Sequence, residues 1–223
     1  MSNFTLFLYP HSLCGHFAVV GIAVRRPRMA TTMLKYCAVG LAALVIAGCA
    51  PRISSTDFVQ GTGAGAAAWS LSDVRVIVPE DMVISTDEND RYPDSDLLVW
   101  YGDPPGDRKA QVANLVTDAV KAGAIDAMSG NRQVVIEIVI DQFHAMTPAA
   151  LATNLQLGVH EIQFDATVRD ALTGEVIAEE QDINADLRAY SGPQAVLAEQ
   201  AGQGQKIRIQ TRISQVIRNW LLA

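Results

Sequence analysis

Residues 70–223 predict a single α+β domain: a two-layer sandwich of about four strands, mostly antiparallel, with two helices on one face. Three observations predict it. Two long stretches carry apolar residues every three to four positions, which is helical spacing, and one follows the first strand while the other closes the chain. Between them lie three runs with strand character, one of which alternates apolar and polar residues over its whole length. Helices segregated to one face of such a sheet make two layers around one core.

The elements follow in order. Val74-Arg75-Val76-Ile77-Val78 is the first strand signal, closed by Pro79. An acidic stretch, 80–107, then holds nine carboxylates against the single Arg91. Its apolar island, Leu97-Leu98-Val99-Trp100-Tyr101, reads as an edge strand or as the floor of a loop. From Asp107 the positions Val112, Leu115, Val116, Ala119, Val120, Ala124, Ile125 and Met128 form one helical stripe, with Asp107 as N-cap and Gly130 beyond the end. Residues 134–143 are apolar on both faces except at Glu137 and Asp141, as expected for a central strand. A loop with Pro148 leads to 159–169, where Ile162, Phe164, Ala166 and Val168 alternate with polar residues, predicting one wet face. Asp170-Ala171-Leu172-Thr173-Gly174 is a tight turn with glycine where φ is positive. Residues 175–187 return as the last strand. After a Gly/Gln-rich joint, Ile209, Ile213, Val216, Ile217, Trp220 and Leu221 form the stripe of a C-terminal helix. There is no internal repeat.

Upstream of this domain the chain changes character. Lys35 precedes 36–47, which has no charge, and the stretch ends in Ala47-Gly48-Cys49. A charged segment, a short apolar segment and small residues are the parts of a secretory signal. The apolar part is too short to span a bilayer, which takes about 20 residues. Ile46-Ala47-Gly48-Cys49 resembles the lipobox of bacterial lipoproteins. The resemblance implies cleavage after Gly48, acylation of Cys49 with palmitate-type chains, and anchoring of the mature chain to a membrane by its N-terminus. Ala50 stands where, in enterobacterial lipoproteins, an Asp favours inner-membrane retention, so the resemblance implies a periplasm-facing envelope protein, at the outer membrane rather than the inner. Residues 29–48 then form the signal, starting at Met29 or Met33, and 1–28 are a mis-called start or an extra n-region. Arg25-Arg26 is no twin-arginine signal, because Pro27 and Arg28 follow it directly. Residues 49–69 are Gly/Ala-rich and polar, the composition of a tether reaching roughly 5–6 Å times the square root of its length. Gly61, Gly63 and Ala66 match a dinucleotide fingerprint in spacing only, since no strand precedes them.

All 24 acidic residues lie beyond residue 48, against 13 of the 17 basic ones, a formal balance of −11 for that part. Such a surface does not attract nucleic acid or an anionic bilayer. Cys14 and Cys37 precede the expected cut, so Cys49 has no cysteine to pair with afterwards.

No residue set marks out an enzyme, a metal centre or a cofactor site. His144 and His160 flank one loop and with Glu137, Asp141 or Glu161 could ligate a metal, but alternation puts His160 on the face of Ile162 and Phe164, the core side. Asp87-Glu88-Asn89-Asp90 and Asp94-Ser95-Asp96 lack the spacing of a calcium loop. There is no Gly-x-Ser-x-Gly, and no carboxylate pair stands out for glycosidic cleavage. Two features suggest protein contact instead. Trp100 and Tyr101 precede a stiff Gly-Asp-Pro-Pro-Gly loop, and aromatics in such a loop anchor interfaces at low entropic cost. Lys206, Arg208, Arg212 and Arg218 make the C-terminal helix locally basic, with no acid after Glu199, and Arg208 and Arg212 are candidates for docking onto an acidic neighbour or another copy's acidic loop.

The order of elements, with the turn 170–178, resembles the small accessory lipoproteins of Gram-negative envelopes: the curli-secretion, peptidoglycan-synthase-activator and transport-auxiliary types. In composition the chain is similar to uncharacterised envelope lipoproteins of alphaproteobacteria of the Rhodobacter type. That resemblance implies a non-catalytic binding or scaffolding role with an envelope protein partner or with itself. The alternatives are a transport-auxiliary protein holding a lipid or other apolar ligand, or an envelope hydrolase.

Overall fold

The computed structural model describes residues 63–154 and 158–223. Gly48, Cys49, the signal segment and the tether up to residue 62 lie outside the described residues. Within them the expected α+β sandwich is present: a five-stranded sheet with its two long helices packed on one face.

Ordered structure begins earlier than the composition of 49–69 indicates. Gly63–Ala68 form a 3-10 turn and β1 runs Trp69–Ile77. Ala66 and Trp69 are both buried, so the end of the expected tether belongs to the core. Next, Ile84 bridges to Leu98 and Val99 to His144, which stitches the apolar island of the acidic stretch onto the sheet as the floor of a loop. Helix α1, Arg108–Ile125, starts at Asp107, whose carboxylate accepts from Ala110 N at 3.0 Å. That bond satisfies one of the orphan amides of the first turn. The stripe is buried as its spacing predicts, except Ile125, which faces water.

β2, Arg132–His144, lies at the centre, parallel to β1 and antiparallel to β3, Val159–Asp170. The parallel pairing follows from the helix between them, because parallel strands need a long crossover. A short helix α2, Pro148–Leu151, separates β2 from β3. β4, Val176–Asn184, continues the order β1-β2-β3-β4. The turn before it has Gly174 at φ +75°, and Asp170 accepts from the amides of Leu172 and Thr173. Arg132 Nε donates to Asp170 at 2.8 Å, and these bonds hold the carboxyl down at about 2.

The strand expected over 175–187 is in fact two. A bulge with Asp182 at φ +55° bends β4, and β5, Leu187–Arg188, pairs separately with the start of β3. Asp186 makes the break tolerable: its carboxylate accepts from Ile162 N at 2.7 Å, replacing a carbonyl in the ladder. The joint that follows contains an unexpected helix, α3, Gly192–Gln200, before α4, Gln205–Leu222.

α4 buries Ile209, Ile213, Val216, Ile217, Trp220 and Leu221 against α1 and the sheet. At Gly123 of α1 the two helices approach so closely that a Cβ would lie 2.5 Å from Ser214 O. The opposite face of the sheet is wet, with Glu137 and Arg169 paired across strands at 3.3 Å. No helix among the described residues is long and apolar enough to cross a membrane.

Candidate functional groove

One end of the sandwich is unfinished. α3 buries none of its residues, and Val196 and Leu197 are 56% and 64% exposed. Yet Gly192-Pro193-Gln194-Ala195-Val196-Leu197-Ala198 carries no charge, so its exposure is not explained by polarity. Glycines in the left-handed region stand at both ends, Gly192 at φ +55° and Gly202 at φ +69°. Between α3, Tyr101, Leu151, Tyr190 and the first turn of α4 lies a groove of about 1130 Å³.

Its walls are held by specific bonds. Tyr101 donates its hydroxyl to Ser85 O at 3.1 Å and lies under the Arg108 guanidinium, 5.1 Å from the ring centroid. Lys206 Nζ meets Asp103 at 2.5 Å, and the same carboxylate accepts from Trp100 Nε1 at 2.9 Å. Burial on its own would raise the Asp103 carboxyl; the bonds from Lys206 and Trp100 outweigh it and hold the group below its ordinary value. Arg208 stacks 3.5 Å above the Tyr190 ring and donates to Arg188 O. Burial depresses the Arg208 pKa, partly offset by Tyr190. No carboxylate among the described residues lies within ion-pair distance of this guanidinium.

Nearby, His160 is fully buried on the core side, on the face of Ile162 and Phe164. Neither of its ring nitrogens has a hydrogen-bond partner among the described residues. Burial, then the positive charge of Arg208, then His144 push it down to about 3, so the imidazole is neutral at physiological pH. His144 borders a second, smaller hollow of about 370 Å³ with Tyr92, Thr147 and Glu161. No group of three or more His, Cys, Asp or Glu side chains among the described residues is placed to hold a metal ion. Asp141 is raised by burial and by Asp165 and Asp182, but none of the three lines either hollow.

The residues proposed from sequence as a contact patch divide. Trp100 is not an exposed anchor: it is 1% exposed, and its ring packs edge-on against Phe143 at 5.8 Å. Tyr101 is half-buried and lines the groove. Arg208 and Arg212 are engaged within the chain, on Arg188 O and Asp186 O, where they fasten α4 to the β4–β5 connection. With Lys206 held by Asp103, the basic stripe of α4 is mostly used internally. Missed altogether were α3 and Tyr190. A signal was available, because Ser191-Gly192-Pro193 places a capping residue and a proline where helices start.

No curated protein matches the chain. Among solved structures, a candidate lipoprotein from Caulobacter crescentus CB15 aligns with 72% of this chain and 94% of its own, at 12% identity and a TM-score of 0.30. Residues 69–223 match a family of unknown function (DUF6778), and the chain belongs to that family.

Proposed function

We propose that the chain is an acylated envelope protein, anchored through Cys49 and facing the periplasm, that works by binding rather than by catalysis. The observation that carries this reading is the Ile46-Ala47-Gly48-Cys49 sequence, set behind a short uncharged segment and ahead of one α+β unit. Several acyl chains anchor a protein stably where one gives marginal binding. Ala50 favours the outer membrane. The scaffolding form of the reading needs an exposed contact surface, and the internal engagement of Trp100, Arg208 and Arg212 weakens the one the sequence suggests. The groove beside α3 favours the transport-auxiliary form, in which the domain holds a lipid or other apolar ligand.

Anchoring is tested by intact mass and membrane fractionation in a Gram-negative host, with wild type beside Cys49→Ala. Wild type is expected to begin at Cys49, carry acyl mass and sediment with membranes. The variant is expected to turn soluble or stay unprocessed. Identical behaviour of the two chains, with residues 1–48 retained in both, refutes the anchor.

A further inference from the structure

We propose that the groove bounded by α3, Tyr190 and the first turn of α4 binds one acyl lipid whose anionic headgroup pairs with Arg208. This rests on the binding reading above and names its ligand class.

Two independent features meet there. The first is α3. A helix of nine residues is marginal in water without packing, and this one has no residue buried by the rest of the described chain. Its Val196 and Leu197, with Ile207 on α4, border an open groove of about 1130 Å³, above the usual ~300–1,000 Å³ of small-molecule sites. An elongated apolar occupant suits such a space better than a compact polar one.

The second feature is Arg208. A partly buried cation is costly unless paired, and this one has the Tyr190 ring, a hydrogen bond to that same side chain and one backbone carbonyl, but no carboxylate among the described residues. A guanidinium presents five donors in a planar fork matched to phosphate or carboxylate oxygens, so donors remain for a headgroup. The acidic surface as a whole opposes adsorption onto an anionic bilayer; a single headgroup at Arg208 meets local charge of the opposite sign.

The test uses the acylated full chain reconstituted into phosphatidylcholine vesicles doped with photoactivatable phosphatidylglycerol or, separately, photoactivatable phosphatidylcholine. Crosslinks are mapped by peptide mass spectrometry. Expected is labelling of residues 190–208, about tenfold stronger for the anionic probe. Arg208→Gln is expected to abolish that preference, while Arg208→Lys retains part of it because the charge stays. Leu197→Asp, at an exposed position, is expected to remove labelling by both probes with thermal unfolding unchanged. A Cys49→Ala chain still labelled at 190–208 supports the groove independently of the anchor. Equal labelling by both probes, labelling confined to 49–62, or crosslinking of α3 to a second copy instead of lipid overturns the proposal. An anchored wild type unlabelled at 190–208 overturns the groove and leaves the anchor standing.

Discussion

The two ends of α4 do opposite things. From Ile209 onward its apolar stripe is spent entirely on the core, with Ile213, Ile217 and Trp220 almost wholly removed from water against α1 and the sheet. At its first turn, Lys206 and Arg208 sit beside α3, whose valine and leucine remain exposed. The distal end of α4 and the α3 segment beside its first turn are both rich in apolar residues, so hydrophobicity alone does not separate them. What separates them is the partner: the distal end meets a complementary surface of the same chain, and the proximal end meets a groove. Apolar surface left open next to an incompletely compensated cation is the pattern of a surface kept for something else.

The largest effect that would sharpen this contrast is at the distal end. Trp220→Ala is expected to cost about 3–5 kcal/mol of stability, read from urea denaturation, since it deletes a large ring buried in the core. A loss under 1 kcal/mol would mean this end is not closed. A smaller effect, of the opposite sign, is expected at His160. Its nitrogens have no partner among the described residues, so His160→Leu removes a desolvation penalty and leaves stability at neutral pH unchanged or higher by about 1–3 kcal/mol. The pH profile gives a second reading. The folded pKa, about 3, lies below the ordinary 6.5, so between these values the unfolded chain binds a proton that the native one does not. This group therefore costs stability as pH falls from 6.5 towards 3 and contributes nothing above 6.5. His160→Leu is expected to flatten that slope in acid-unfolding curves; an unchanged slope would show that the imidazole takes up its proton in the fold. Smallest of all is Leu197→Ala on α3, expected within about 0.5 kcal/mol of wild type. A cost of 2 kcal/mol or more would place Leu197 in the core and erase the contrast between the two ends.

Much of the sheet and its two long helices was legible because local chemistry and global packing agree there. The α1 stripe, the Asp107 cap and the Gly174 turn each state their geometry within a few residues. Where sequence failed, the deciding contact is distant. Trp100 looks like a loop aromatic until Phe143, brought beside it by β2, turns it into core. Counting cations on α4 cannot reveal that Arg212 and Arg208 reach the carbonyls of Asp186 and Arg188, which only the separate pairing of β5 puts in place. The groove was illegible for a related reason: α3 has no stripe, since a helix without a buried face has no periodicity to read. The proposal for Cys49 rests on sequence alone, since that residue lies outside the described residues.

The 3-10 turn at Gly63–Ala68 packs against α4, so the first described residues of the domain and nearly its last share one core. This has a consequence in time. A chain synthesised N-terminus first cannot pack its opening turn fully until α4 has arrived. Contacts of such sequence separation are slow to form, and the opening segment waits for the closing one. This topology leaves the opening turn unpacked until the final helix is in place.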